Sequence, residues 1–135
     1  MRVVLDTNVV VSALLNPEGP PAAVLAVIFT GEVIPLLDSR LLAEYREVLL
    51  RPRFGFTPEQ VEAVVSGLLE IGELVDAPPL GLRLPDPDDV PFLEVAVAGQ
   101  ADAIVTGNVR HFPSGSCPAR TLSPSAFLAW IGATP

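Results

Sequence analysis

The stretch Arg2-Val-Val-Leu-Asp-Thr-Asn-Val-Val-Val-Ser-Ala-Leu-Leu15 decides the class of fold. Arg2–Leu5 is a short β-branched run, and branched side chains favour the pleated surface of a strand. It ends at Asp6, and a helical stretch follows from about Asn8 to Leu15. Pro17–Pro21 turns the chain, and Pro21–Phe29 reads as a second helix closed by Gly31 beyond its end. Val33–Leu37 is the next strand. After Asp38, a helix over Ser39–Leu50 carries apolar Leu41, Leu42, Tyr45, Val48 and Leu49 at helical spacing, and Pro52 stops it.

The same alternation continues downstream. Thr57-Pro58-Glu59-Gln60 starts a helix to about Ile71, with a threonine cap, proline at the first position and glutamine completing a capping box. Glu73–Asp76 is a short strand before the proline-rich loop Pro78–Pro87. Asp88 or Asp89 caps a helix over Val90–Ala98. Ala103–Thr106 and Ala119–Leu122 are strands, and Ser123-Pro124 opens a last helix through Trp130. Strands alternating with helices predict one α/β domain over residues 1–135, with a mostly parallel central sheet and helices on both faces. Ligands of such folds bind outside the carboxyl ends of the strands.

Composition narrows the function. Half the 135 residues are hydrophobic and mean hydropathy is +0.49. The longest apolar stretches, Val9–Leu15 and Ala22–Phe29, fall short of the roughly 18 residues of a spanning helix, so no membrane role is expected. Asp6 interrupts the N-terminal apolar run, which argues against a secretory signal. The surplus of apolar residues points to a subunit interface, and a homodimer through Pro21–Phe29 or Thr57–Ile71 is expected. A single cysteine, Cys117, permits no internal disulfide and fits a reducing cytoplasm. All eight bases are arginine. Without lysine, a phosphate loop of the GxxxxGK[ST] type and Schiff-base chemistry are both excluded, and no GxGxxG pattern occurs.

Net charge is −8, from 16 acids against 8 bases. That excludes a basic nucleic-acid coat but not a nuclease whose acids bind cations. Asp6 and Asn108 both follow strands at the rim where sites form, and Asp89 opens the helix leading into the Ala103–Thr106 strand. Glu44 borders the apolar stripe of its helix, whereas Glu47 points to water. Magnesium takes hard oxygen ligands, so carboxylates from separated segments suffice to hold it. Taken singly, Asp6 would be a helix or turn cap more often than a ligand. Asp102 lies at the opposite rim and Asp38 reads as a cap. His111 reads as a surface histidine. Arg46, Arg51 and Arg53 form the densest basic group, open to phosphates, solvent or a partner's acids.

With these residues in hand, the chain resembles the PIN-domain ribonucleases, of the kind found as VapC-like toxins of toxin–antitoxin pairs. Val3–Asn8, Ser39–Leu49, Asp86–Glu94 and Ala101–Asn108 match four motifs in order. The resemblance implies a three-layer α/β/α fold and an RNA-cleaving site with magnesium or manganese. It implies Asp6, Glu44 and Asp89 as catalytic and metal-ligating residues, with Asp86 or Asp88 sharing the third ligand role. It implies that Asn8, Thr106 and Asn108 orient phosphate or the ligating side chains. Asn108 replaces an acid common in the family, and its amide oxygen still coordinates. The implied partners are RNA, an antitoxin protein and a second copy. A catalytically silent PIN-like protein-binding module is the alternative. An aspartyl phosphatase would show Asp-x-Asp where this chain has Asp6-Thr7-Asn8.

Overall fold

The computed structural model describes residues 1–113 and 115–133. Its strands are β1 (Arg2–Leu5), β2 (Ile34–Leu37), β3 (Glu73–Leu74), β4 (Ala103–Val105) and β5 (Arg120–Leu122). They form one sheet in the order β3-β2-β1-β4-β5, and every neighbouring pair is parallel. Val3 sits opposite both Pro35 and Ala103, and Leu5 opposite Val105. The central strands are buried along both faces, from Val3 to Leu5 and from Ala103 to Val105. Burial on both sides is why they read as continuous apolar runs rather than alternating ones.

Six helices connect and cover the sheet: α1 (Thr7–Leu15), α2 (Pro20–Phe29), α3 (Ser39–Leu49), α4 (Pro58–Ile71), α5 (Val90–Ala98) and α6 (Pro124–Ala133). The path runs from β1 outward to β2 and β3, then returns to β4 on the other side of β1. Right-handed crossovers place the outward and returning connections on opposite faces, giving three layers. The direction of winding reverses between β1 and β4. A cleft therefore opens beyond the carboxyl ends of those two strands.

Local chemistry sets the helix limits within three residues of expectation. Thr57 accepts from Gln60 N–H while Gln60 accepts from Thr57 N–H, the reciprocal cap read from the sequence. Gly31 lies just past α2 at φ +87°, a backbone that L side chains rarely adopt. Val24, Leu25 and Ile28 of α2 are buried, and the helix packs on α1 and α6. Much of its apolar surface is thus core. No single helix among the described residues is long and apolar enough to cross a membrane.

One buried contact ties α3 to the end of β1. Tyr45 is fully buried, its ring tilted 47° against Phe92 at 6.3 Å. Its hydroxyl donates to the Leu5 carbonyl at 2.6 Å. Tyr45→Phe leaves that carbonyl without its side-chain donor, at a cost of about 1–3 kcal/mol. Thermal unfolding of the variant should shift down by on the order of 4–10 °C. An unchanged melting temperature would show that the bond contributes nothing net.

Candidate metal centre

Asp6 follows β1 and is 5% exposed. A buried carboxylate needs partners, and it finds three. One oxygen, Oδ1, accepts from Thr7 N–H at 2.8 Å, so Asp6 also caps α1. The other, Oδ2, accepts from the Thr106 hydroxyl at 2.8 Å and from the Asn8 amide at 3.3 Å. Asn8 in turn accepts from Gly107 N–H at 2.9 Å through its amide oxygen. A side chain at position 107 would press on Asn8 at 3.3 Å. Asp6 therefore caps α1 and, through its other oxygen, is tied to Thr106 and Asn8 at the strand-end rim.

Glu44 projects from α3 and receives a short hydrogen bond from the Thr7 hydroxyl. Thr7 is buried, and its role was not anticipated. Its signal in the sequence was only its place between Asp6 and Asn8. Glu47, one turn on, is exposed and pairs with Arg51, as its angular position predicted.

The Asp86–Asp89 segment corrects the expected cap. Pro87–Asp89 is a 3-10 turn capped by Asp86, whose Oδ1 accepts from Asp88 N–H at 2.9 Å. Asp89 occupies the capping position of α5 but makes no side-chain cap. Its carboxylate instead turns toward the strand ends. Asp86 and Asp89 meet there with His111, their donor atoms all within 4.8 Å of one another. Asp88 is exposed and lines the same cleft.

His111 corrects a second expectation. It is half-buried, and its Nδ1 lies 2.9 Å from Asp89 Oδ2. The Val109–His111 turn after β4 brings it there, and no motif signalled it. That imidazole is the one partner close to Asp89 Oδ2 among the described residues; no backbone N–H or hydroxyl reaches this buried oxygen. Asn108 is exposed; its backbone N–H bonds the Thr106 hydroxyl at 3.0 Å, and its amide is not among the groups lining the cleft. Asp102 accepts from Arg2 N–H at the opposite rim, and Asp38 caps α3, both as expected.

Mutual repulsion is visible in the acidities. Burial holds the Asp6 carboxyl above its ordinary range, against hydrogen bonds from Thr106 and Thr7 that favour its charge. Burial likewise raises Glu44, opposed by Thr7 and reinforced by the charges of Asp6 and Asp88. Asp89 is pushed up to about 6, first by burial and then by the charge of Asp6, with His111 working the other way. A buried carboxylate oxygen among acids that resist ionising suits a cation. These residues fit a hard divalent ion: Asp86 and Asp89 meet beside His111, Glu44 lines the same cleft, and Asp6 is near enough for its charge to raise Glu44 and Asp89.

Glu94 and Arg40 hold the neighbouring loop. Arg40 donates to Glu94 at 2.6 Å, to Asp38 at 2.9 Å and to the Ala77 carbonyl at 3.3 Å. Glu94 Oε2 accepts from Leu80 N–H at 2.7 Å. This network fastens the start of the proline-rich segment that ends in Asp86.

Three comparisons bear on this geometry. The PIN domain family model matches residues 2–110. Uncharacterized protein MJ1680 of Methanocaldococcus jannaschii is 27% identical over 111 residues, covering 80% of this chain and 71% of that protein. A chain of the crystal structure of VapBC2 from Rickettsia felis, bound to a DNA fragment from their promoter, has a similar fold. That match has a TM-score of 0.59 at 18% identity, over 90% of this chain and 98% of that one.

The raised acidity constant of Asp89 has a consequence for stability without metal. Folded, this carboxyl keeps its proton up to about 6, against an ordinary value of 3.8. Protonation therefore favours the native state. The contribution is complete below the ordinary value and is lost as pH rises through about 6. In chelator, Asp89→Asn should melt above the parent at pH 7.5, and the gap should close toward pH 4.5. A gap that does not vary with pH would contradict the acidity assigned to Asp89.

Proposed function

The chain belongs to the PIN-domain family, and from that premise we propose that it is a metal-dependent endoribonuclease, the toxin of a toxin–antitoxin pair. The convergence of Asp86, Asp89 and His111, their donor atoms within 4.8 Å of one another around a buried Asp89 oxygen, carries this reading, because a cation satisfies such a cluster. Magnesium or manganese suits the oxygen-rich donor set. Asp6, Glu44, Asp86 and Asp89 would hold the ion. Once bound, it would polarise a phosphoryl oxygen and make a water acidic enough to attack. Thr106 and Asn8 fix Asp6, and Thr7 fixes Glu44. Neither carboxylate then has to reorganise when charge develops at the phosphate.

The likeness to a chain of VapBC2 supports an antitoxin partner, and the single Cys117 supports action in the cytoplasm. A homodimer also belongs to the proposal. Phe29, at the end of α2, is 46% exposed, and its ring lies where a side chain on Gly67 of α4 would go. The two helices named for the interface thus share one surface. Light scattering should give twice 14.2 kDa at micromolar concentration; only a monomer would overturn the dimer. A silent binding module is the second reading, favoured by Asn108 where the family often carries an acid. The unmet charge demand of Asp89 speaks against it.

The central test compares two glutamates on one helix. Purified protein should cut single-stranded RNA with magnesium or manganese and stop in excess chelator. Glu44→Gln should slow cleavage by on the order of 10²–10³, the scale of one lost transition-state interaction. Glu47→Gln should change it less than about threefold, since an exposed charge is screened. Full activity in chelator, or equal damage from both variants, would refute the assignment.

A further inference from the structure

The site cleft, about 310 Å³, has two chemically different ends. Thr7, Asn8, Val11 and Ser12 of α1 line one wall. Glu44 and Val48 of α3 line the other, four residues apart on one helical face. Asp86, Asp88 and Asp89 line the cleft with Glu44, and the charge of Asp88 bears on that glutamate. Arg51, Arg53 and Phe54 line it from beyond the end of α3 at Leu49, which is about 7 Å along the axis from Glu44. A group meeting the arginines is therefore not the one meeting the carboxylates.

The structure separates the three arginines that the sequence grouped. Arg46 is tied to Glu62 by two hydrogen bonds, at 3.1 and 3.0 Å. Arg51 pairs only with exposed Glu47 at 3.1 Å, a solvated contact that a stronger anion displaces readily. Arg53 makes no ion pair among the described residues. It is nonetheless held, with Cζ 4.8 Å over the centre of the Phe54 ring. Phe54 is itself stacked on Phe56 at 6.1 Å and 23°. Pro52 opens this 3-10 turn, and Gly55 at φ +71° closes it. The guanidinium is thus oriented before any ligand arrives, with its donors unclaimed by an acid.

We infer that Arg51 and Arg53, the latter mounted on Phe54, form a phosphate-binding subsite for the RNA strand flanking the cut. This inference rests on the nuclease reading above. A chain of net charge −8 repels a polyanion overall, so approach to an acidic centre needs local positive charge. The subsite supplies it at the mouth of the same cleft. Val11 and Val48, which line the same cleft, leave apolar wall for a sugar or base.

The test measures binding of a fluorescent single-stranded RNA oligomer by anisotropy, in chelator to prevent cleavage, across a salt series. Arg51→Ala/Arg53→Ala should weaken binding about tenfold or more and flatten the salt slope by about 1.4, the value for two lost phosphate contacts. Arg83→Ala removes one charge from an exposed arginine outside the cleft and should leave the slope near the parent value. With magnesium, the double variant should raise KM and spare kcat. Its manganese-induced rise in melting temperature should match the parent's, which also shows that it folds. Parent protein that binds RNA while the double variant keeps the same affinity and slope overturns this inference alone. Parent protein that neither binds nor cuts RNA overturns it together with the nuclease reading.

Discussion

The hydrogen bond from the Thr106 hydroxyl to Asp6 Oδ2 joins the ends of the two central strands. It exists because a carboxylate buried at 5% exposure cannot be left to water. Asp6 stands at the end of β1 and Thr106 just past β4, and only the reversal of winding between those strands makes them neighbours. Asn8 then bridges from α1 to Gly107, and Asn108 N–H returns to the Thr106 hydroxyl. The rim of the sheet is thereby fixed around one acid. Everything else in the site is arranged against that fixed point.

Two buried acids a short way apart on the chain show what the site lacks. Glu94 is 3% exposed and Asp89 is 7% exposed, so burial opposes charge on both. For Glu94 the burial is outweighed by Arg40 and by the Leu80 N–H, and its carboxyl lies below the ordinary range. Asp89 has no arginine, only a histidine at its edge, and is pushed up to about 6. One cluster is a finished structural network fastening a loop. The other is electrostatically incomplete, and that difference, not burial, makes it the candidate site.

Helix α3 serves three surroundings with successive faces. Tyr45 goes inward to the Leu5 carbonyl, Glu44 goes sideways to Thr7, and Glu47 stays in solvent with Arg51. The same side of the helix that presents Glu44 presents Val48 one turn on, and Arg51 follows beyond the helix end at Leu49. The length of α3 past Glu44 thus separates that acid from the arginines.

Local chemistry made much of this legible in the sequence. The run Val3–Leu5, the reciprocal cap at Thr57 and Gln60, the stop at Pro52 and the phase of Glu44 against Glu47 all depend on residues within a turn of one another. So did the α/β class, whereas the choice of Asp6, Glu44 and Asp89 rested on four motifs spread along the chain. What the sequence could not carry were contacts set by folding across long separations. Thr7 meets Glu44 across 37 residues. His111 approaches Asp89 because a turn after β4 folds back toward the start of α5. Asp86 caps the Pro87–Asp89 turn, and Asp89 enters α5 without capping it, its carboxylate facing His111 instead. Arg46 leaves the basic group for Glu62 on α4. In each case several partners were chemically acceptable, and only the packing of whole elements decided which one came within reach.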